Sequence, residues 1–342
     1  MKIDKILHKS RKLFLKGRAL VYPGRSSNQD RLSWTVHYPQ DFVEDYANMD
    51  GEEFSAILQQ RILNNQPTLL TRFGSDIMMC ALAYRNQPSL LNYWRYITDR
   101  RDSIGLPPWL IDIMMNNAGF YSEKKEYLER DLYRYGGLID SIVPDIDMLA
   151  TVLRQERFYA DYLDAIPKCF LLDIEPYRQK NPWTKALKGK RVLVIHPFEK
   201  SIRYQYEHNR EKIFDNPDML PEFQLMTIRA VQSIAGNRPK EHKDWFAALH
   251  YMESQIDNIG DFDVAIIGCG AYGMPLSAHI KRLGKIAIHA GGGVQYLFGI
   301  KNKRADTDED ATVRNLYNEY WIRPFPEDTP SGIEKVERGC YW

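Results

Sequence analysis

The sequence predicts an α/β protein with a Rossmann-like, mostly parallel sheet and helices on both faces, preceded by a helix-rich N-terminal region. Two observations predict this fold. From residue 169 onward, short apolar runs rich in β-branched residues alternate with helical stretches, which is typical of a parallel sheet covered by helices. In addition, the 342 residues are 44% hydrophobic and 27% charged, a composition that suits a globular chain with one large or two modest cores.

The first 40 residues are predicted to form a basic N-terminal arm. Residues 1–20 carry seven lysines and arginines against Asp4 alone, with apolar residues between them. Such a segment either lies on an anionic bilayer as a peripheral contact or forms a helix that docks on its own domain. It lacks the apolar core and cleavage site of a secretory signal, and the chain has no apolar run long enough for a membrane span. We expect a cytoplasmic protein, with the inner face of the membrane as the alternative location.

Residues 41–165 are predicted to be mainly helical, with one short strand at Thr68–Thr71. The strand leads into Arg72, Phe73 and Gly74, and Ser75 is predicted to cap the helix that follows. Two more helices are expected in this region, one starting at residue 107 and one over residues 123–135.

Residues 166–310 are predicted to be the Rossmann-like region, and residues 311–342 an aromatic strap packed on it. The predicted strands cover 169–174, 192–196, 224–228, 264–267 and 286–289, and the predicted helices cover 201–214, 244–258 and 275–283. From residue 41 on, we expect one integrated catalytic unit. Because the carboxyl ends of parallel strands meet at one edge of a sheet, ligands are expected at that edge.

One stretch, DVAIIGCGAYGMPL, predicts a buried strand, a glycine turn and a helix start. Gly268, Gly270 and Gly273 allow close approaches that a side chain would block, and the helix start that follows Tyr272 favours a diphosphate. The spacing matches the G-x-G-x-x-G of dinucleotide folds, but the next strand ends in His289 where an acidic residue is usual. We therefore expect a nucleotide loop without NAD, and a purely structural turn is the alternative.

Two other strand ends are predicted to bind an anion. Arg72 can form a fork of hydrogen bonds to a phosphate or carboxylate, or it can pair with an internal acid. His196 precedes a helix start at which Ser201 is predicted as the N-cap, and Lys200 adds a positive charge. The alternative for Lys200 is an ordinary exposed lysine.

The glycines after His289 form a further candidate wall. Gly291 and Gly292 allow a ligand to lie directly on backbone, and Gln295 follows them. A sharp strand-to-helix turn is the alternative.

Composition and spacing argue against several classes of function. Lysine and arginine number 46 against 45 aspartates and glutamates, so the chain has no electrostatic footprint for nucleic acid. The four cysteines are scattered without C-x-x-C spacing, which predicts neither a zinc site nor a disulfide framework. Asp173 and Glu175 form an Asp-x-Glu pair at a predicted strand end, either as ligands for a divalent metal or in a surface or salt-bridged role.

Several motifs extend along the chain: LVIHPF at 193–198, DVAIIGCGAYGMPL at 263–276, QYLFGI at 295–300, EYWIRP at 319–324 and GCYW at 339–342. Together they resemble a group of bacterial proteins associated with capsule and O-antigen clusters. The resemblance covers the chain from about Thr68 onward.

The Arg72-Phe73-Gly74 turn is also distantly similar to the opening of the Arg-Phe-Gly-Asp-Gly-Glu motif of GT-D-type glycosyltransferases. These are metal-dependent enzymes with a Rossmann-like fold that use nucleotide sugars, and their Asp-x-Glu is associated with the metal. Here Ser75 and Ile77 stand at the two acidic positions, with Asp76 between them. Asp76 could substitute as a single metal-binding carboxylate, the metal could be held elsewhere, or catalysis could be metal-free or lost.

The resemblance implies a glycosyltransferase that moves a sugar from a nucleoside-diphosphate donor to a growing capsule or O-antigen intermediate, a glycan or lipid-linked acceptor. Arg72, Ser75 and Asp76 would face the donor, and the glycine turn would approach its diphosphate or sugar. Asp76 or Glu175 would be the catalytic base, with Mn²⁺ or Mg²⁺ as the candidate cofactor. Two alternatives stay open: a nucleotide-dependent oxidoreductase or sugar-modifying enzyme, and a catalytically degenerate scaffold or glycan-binding subunit.

Overall fold

The computed structural model of the protein describes residues 46–87, 89, 105–307 and 311–342. The predicted basic arm of residues 1–40, with its peripheral membrane contact, lies outside the described residues. The strands are β1 Thr68–Thr71, β2 Met148–Thr151, β3 Lys168–Phe170, β4 Arg191–His196, β5 Gln224–Arg229, β6 Val264–Ile267 and β7 Ile286–His289. The described strands form one parallel sheet in the order β3-β2-β1-β7-β6-β4-β5. The predicted α/β fold is therefore confirmed.

Ten α-helices accompany the sheet in the described part of the chain, together with several short 3₁₀ turns. They are α1 Gly51–Leu63, α2 Ser75–Arg85, α3 Pro108–Asn116, α4 Leu128–Ile142, α5 Ala160–Leu163, α6 Glu199–Ile213, α7 Trp245–Asn258, α8 Gly273–Arg282, α9 Gly293–Leu297 and α10 Lys303–Thr307. Among these described helices, none has both the length and the apolar character that crossing a membrane requires.

Alternation along each strand divides the core between the two faces of the sheet. In β4, Leu193 and Ile195 pack into one cluster, whereas Val192 and Val194 pack into the other. The first cluster contains buried residues of α2, α3, α4, α7 and α8, and the second contains those of α1, α6 and α9. Both faces are thus covered, which explains why the strands are continuous apolar runs rather than alternating polar and apolar ones.

Two predictions about the strands were wrong. Residues 41–165 supply two strands rather than one, because β2 pairs with both β1 and β3. The strand predicted over 169–174 ends at Phe170, and the chain continues as the 3₁₀ turn Leu171–Ile174. The parallel sheet therefore takes strands from both sides of the boundary predicted at residue 165.

Several predicted helix starts also shifted. Gly74 takes the N-cap position of α2, and Ser75 is the first helical residue. A 3₁₀ turn, Gly270–Tyr272, leads directly into α8, so this helix begins at Gly273 rather than at Pro275. The helix predicted over 123–135 starts at Leu128 after another 3₁₀ turn.

A glycine contact fixes the position of α2. A Cβ added at Gly136 of α4 would lie 2.2 Å from the carbonyl oxygen of Cys80 in α2, so the two helices approach more closely than any side chain at that position would allow. The glycine thereby sets the place of the α2 start at the carboxyl end of β1.

Connections leave neighbouring strands toward opposite faces of the sheet. The chain leaves β1 into α2, which packs in the first core cluster, and leaves β7 into α9, which packs in the second. A crevice opens between such strands at their carboxyl ends, where ligands of open α/β sheets bind.

Candidate functional site

A cavity of about 570 Å³ lies at the carboxyl edge of the sheet. Its walls come from the loops after β1, β2, β4, β5, β6 and β7 and from the last residues of the strap. The volume falls within the range of small-molecule sites. The site residues predicted from the sequence that line this cavity are Arg72, Phe73, Gly74, Ser75, Asp76, His196, Gly268, Gly270, Tyr272, Gly291, Gly292 and Gln295.

Four predicted site residues do not line the cavity, and the structure gives each another role. Glu175 lies after the shortened β3 and accepts a hydrogen bond from Nε of Arg178 at 3.0 Å. Lys200 is 49% exposed and lies 3.7 Å from the carboxylate of Glu327. The predicted catalytic role of Glu175 and the binding role of Lys200 thus have no support from their positions.

Ser201 was predicted as an N-cap, but α6 begins two residues earlier, and Ser201 lies in its first turn. Its hydroxyl donates to Oδ2 of Asp328 at 2.6 Å, and its backbone N–H donates to the same oxygen at 2.9 Å. The fully buried Asp328 belongs to the strap, so this contact attaches the strap to α6. Ser201 therefore anchors the strap and does not line the cavity.

Close packing explains why two of the three residues Gly268, Gly270 and Gly273, in the turn after β6, must be glycine. A Cβ at Gly268 would lie 2.4 Å from the carbonyl oxygen of Gly291 and 2.8 Å from the ring of His196. A Cβ at Gly273 would lie 2.2 Å from Nε2 of His289. Gly270 differs, because its φ of +56° requires a left-handed backbone, the residue is exposed, and a Cβ there would make only an ordinary contact, 3.5 Å from the carbonyl oxygen of Ala118. The backbone approach predicted for a ligand is therefore available at Gly270, whereas at Gly268 and Gly273 the space that a side chain would take is filled by protein.

Two buried histidines end the central strands. Burial lowers the pKa of His196 to about 3, and burial together with the charge of Arg72 lowers the pKa of His289 to about 3. Both imidazoles are therefore neutral at ordinary pH. His289 shares a hydrogen bond with Oγ1 of Thr71 at 2.9 Å, which joins the ends of β1 and β7.

The tautomer of His196 follows from its hydrogen bond. Its Nδ1 accepts from the backbone N–H of Phe198 at 3.0 Å, so the ring proton is on Nε2. Among the described residues, none accepts a hydrogen bond from that Nε2. His196 thus lines the cavity as a neutral donor.

Arg72 is the main positive charge at the end of β1. Its Nη2 donates to the carbonyl oxygen of Phe73 at 3.3 Å, and its buried Nε has no hydrogen-bond partner. Within the described part of the chain, no carboxylate forms an ion pair with Arg72, so the alternative of an internally paired arginine does not apply there. Gly291 makes room for it, since a Cβ at that position would lie 2.9 Å from Nη1 of Arg72. A buried donor without a partner at a cavity wall is what an anionic ligand would satisfy.

Asp76 lies in the first turn of α2 beside this arginine. Its Oδ1 accepts from the backbone N–H of Ile77 at 3.0 Å, and a Cβ at Gly74 would lie 2.7 Å from the same oxygen. Burial is the largest effect on its pKa and raises it, while Arg72 lowers it and Glu337 raises it. Asp76 is therefore a stronger base than an exposed aspartate.

Tyr272 and Gln295 line the cavity, but their polar groups and the Tyr272 ring also contact other parts of the protein. Tyr272 stacks on Trp245 at a ring separation of 4.7 Å, and its hydroxyl lies 3.2 Å from Oγ of Ser233. Gln295 donates from Nε2 to the carbonyl oxygen of Tyr341 at 2.9 Å. Each residue thus contacts another residue of the cavity wall, Ser233 for Tyr272 and Tyr341 for Gln295.

The residues present do not form a complete site for Mn²⁺ or Mg²⁺. Among the described residues, no group of three histidine, cysteine, aspartate or glutamate side chains is arranged to hold a metal ion. Asp173 and Glu175 lie outside the cavity, which leaves Asp76 as the one predicted carboxylate at its wall. We therefore derive no step through a metal.

Part of the cavity wall carries no local sequence signal. Arg304, Glu337, Tyr341 and Trp342 line it, as do residues 231–234 after β5. The aromatic character of residues 317–342 predicted packing on the domain, and it could have suggested a cavity wall, but no local motif marks Arg304 or Glu337.

A second buried carboxyl lies behind the wall formed by Val152 and Leu153. Glu156 is fully buried, and it accepts from the hydroxyl of Thr151 and from the backbone N–H of Val152. Burial raises its pKa to about 7. This carboxyl therefore has a pKa near neutrality and does not line the cavity.

Comparison with protein-family models gives no match, and neither do comparisons with curated proteins and with solved structures. The resemblance to capsule and O-antigen proteins and to GT-D-type glycosyltransferases therefore stays a prediction.

Proposed function

We propose that this protein is a glycosyltransferase that binds a nucleoside-diphosphate sugar in the cavity and transfers the sugar to a glycan or lipid-linked acceptor. Capsule or O-antigen assembly would be the setting of this reaction. The observation that carries the proposal is Arg72, an arginine at the carboxyl end of a central strand with a buried Nε that has no partner.

The surroundings of Arg72 suit a diphosphate. His196 offers a neutral N–H, Gly270 exposes backbone, and Gly291 allows the guanidinium to approach the turn after β7. His196 is a hydrogen-bond donor, the two glycines add no side chain, and Arg72 supplies the positive charge. A guanidinium fork matches phosphate geometry, and it stabilises the charge that develops on a departing diphosphate.

The transfer requires one bond to form and one to break. The acceptor hydroxyl oxygen bonds to the anomeric carbon of the sugar, and the bond from that carbon to the phosphate oxygen breaks. The hydroxyl proton passes to a base, for which Asp76 is the candidate because it lines the cavity and its pKa is raised. The negative charge leaves with the nucleoside diphosphate and is stabilised by Arg72.

Calorimetric titration with UDP, GDP and CMP tests the binding step. We expect the native protein to bind at least one of them, and Arg72→Gln to bind it about 10 to 100 times more weakly, since a charged hydrogen bond is lost. Arg282→Gln is the matched control, because this exposed arginine pairs with Asp145 outside the cavity. Equal affinity of native protein and Arg72→Gln would contradict the role of Arg72.

An activity assay distinguishes the alternatives. We expect donor hydrolysis or transfer with one member of a nucleotide-sugar panel, measured with and without Mn²⁺. In a melting assay, a higher Tm with NAD or NADP, but with none of UDP, GDP and CMP, would favour an oxidoreductase. Binding without any turnover would favour a scaffold or glycan-binding subunit, which the replacement of the acidic positions by Ser75 and Ile77 already suggests.

A further inference from the structure

The last residues of the strap, 336–342, form a firmly attached part of the cavity wall, here called the strap end. Val336 and Cys340 are buried, and the backbone N–H of Arg304 donates to the carbonyl oxygen of Cys340 at 3.0 Å. Gln295 holds the carbonyl of Tyr341. The position of Glu337 between these anchors is therefore defined by the fold.

The backbone at Glu337 is unusual. Glu337 and Arg338 have φ values of 46° and 60°, so two consecutive residues with side chains adopt the left-handed conformation. This conformation is unfavourable without glycine and persists where the surroundings enforce it, often at binding sites. Here it places Glu337 at the cavity wall between buried residues.

The Glu337 carboxylate is oriented through one of its two oxygens. Arg304 donates to Oε2 from Nη2, and Sγ of Cys340 lies 3.4 Å from the same oxygen. Oε1 accepts no hydrogen bond from the described residues. The charge of Glu337 also raises the pKa of Asp76, so the two carboxylates interact across the cavity.

Two aromatic side chains of the strap end line the same cavity as this carboxylate. The ring of Tyr341 would lie 3.4 Å from a Cβ at Gly292, so it packs on the glycine turn after β7, and the guanidinium of Arg304 lies 5.0 Å from its centroid. Trp342 also lines the cavity, and its buried Nε1 has no hydrogen-bond partner. A cavity lined by a carboxylate acceptor and by these two aromatic side chains suits a polyol, whose hydroxyls donate to the carboxylate while its C–H face contacts the rings.

We propose that Glu337 binds hydroxyl groups of the sugar carried by the nucleotide, and that Arg304 is the positioning residue that holds its carboxylate. This inference rests on the proposed function. It assigns the two ends of the donor by charge: Arg72 attracts the diphosphate, whereas the Glu337 carboxylate repels phosphate and accepts hydroxyl donors.

The test compares two affinities, one for a free nucleoside diphosphate and one for its sugar conjugate. UDP with UDP-glucose and GDP with GDP-mannose are titrated by calorimetry into native protein, Glu337→Gln and Arg304→Lys. We expect the native protein to prefer one conjugate over the free diphosphate, and Glu337→Gln to reduce this preference about tenfold while the free diphosphate binds at least as tightly as before. Arg304→Lys should reduce the preference less, because it keeps a positive charge that can pair with the Glu337 carboxylate.

Glu334→Gln is the matched control, since Glu334 lies in the same strap outside the cavity wall, and it should keep the native preference. A Glu337→Gln variant that keeps the native preference would overturn the inference, as would a native protein that binds the diphosphate but prefers neither conjugate. If the native protein binds no nucleotide at all, the proposed function itself fails. Melting curves of each variant establish that the fold is retained.

Discussion

Replacing Gly273 by alanine should destabilise the protein through its contact with His289. The added Cβ would lie 2.2 Å from Nε2, 2.6 Å from Cδ2 and 2.9 Å from Cε1 of the imidazole. The ring is buried and is held at its other nitrogen by Thr71, so it has little freedom to move aside. An ordinary contact requires at least 3.4 Å, so α8 or the ring must be displaced.

The magnitude follows from three effects. Forcing extra volume into a packed core costs about 1–3 kcal/mol. Losing the hydrogen bond between Thr71 and His289 adds about 1 kcal/mol, and the better helix propensity of alanine returns up to about 1 kcal/mol. We expect a net loss of about 2–3 kcal/mol in the free energy of unfolding, and a decrease of roughly 5 °C in Tm.

Urea denaturation followed by circular dichroism measures this change. Gly293→Ala is the control, because its Cβ would lie 3.7 Å from the carboxylate of Glu175, an ordinary contact, and we expect a change within about 0.5 kcal/mol. Combining Gly273→Ala with His289→Ala should cost less than the sum of the two single variants, because the second removes the clash. A Gly273→Ala variant as stable as the native protein would refute the packing account of this glycine.

Three further predictions concern the site. Asp76→Asn should lower the transfer rate by roughly 10²- to 10⁴-fold with little change in nucleotide affinity. Because burial raises the pKa of Asp76, the native protein loses stability as pH rises above about 4. The variant should therefore be the more stable of the two at pH 7 and lose that advantage in acid, which urea denaturation at several pH values measures. The pKa of Glu156, raised to about 7, should likewise make native stability fall by about 3 kcal/mol between pH 4.5 and 7; this slope should be absent in Glu156→Gln, and an unchanged slope would be evidence against a buried, titrating Glu156. Gly291→Ala should weaken nucleotide binding at least about tenfold, because it displaces Arg72 and strains a backbone with φ of +57°, whereas Gly292→Ala should bind normally; equal calorimetric affinities for the two variants would contradict this.

Local sequence patterns predicted much of the sheet correctly. The bounds of β1, β6 and β7 agree with the structure because each is a short apolar run, buried on both faces and bounded by turn residues. β2 was missed because this strand has only four residues, MLAT, and lies in a region of helical patterns. Its strand conformation depends on pairing with β1 and β3, which only the tertiary structure supplies.

The cavity wall likewise contains residues whose positions could be predicted from the sequence and residues whose positions could not. The positions of Arg72, Asp76, Gly268 and Gly270 at the cavity wall could be predicted, because the carboxyl ends of parallel strands converge and each residue follows a recognisable strand. The contact of Ser201 with Asp328 could not be predicted, because Asp328 lies 127 residues further along the chain. The position of Glu337 at the cavity wall was missed for a similar reason, since the strap brings it to the cavity from outside the sheet. Contacts over such sequence distances leave no periodic or local signal.

A structure of the protein bound to the nucleotide selected by titration tests the central claim most directly. We predict that the diphosphate lies at the carboxyl edge of the sheet, with its oxygens within hydrogen-bond distance of the Arg72 guanidinium and close to the exposed backbone of Gly270. A nucleotide bound elsewhere, or one bound in the cavity with its phosphates away from Arg72, would contradict the account.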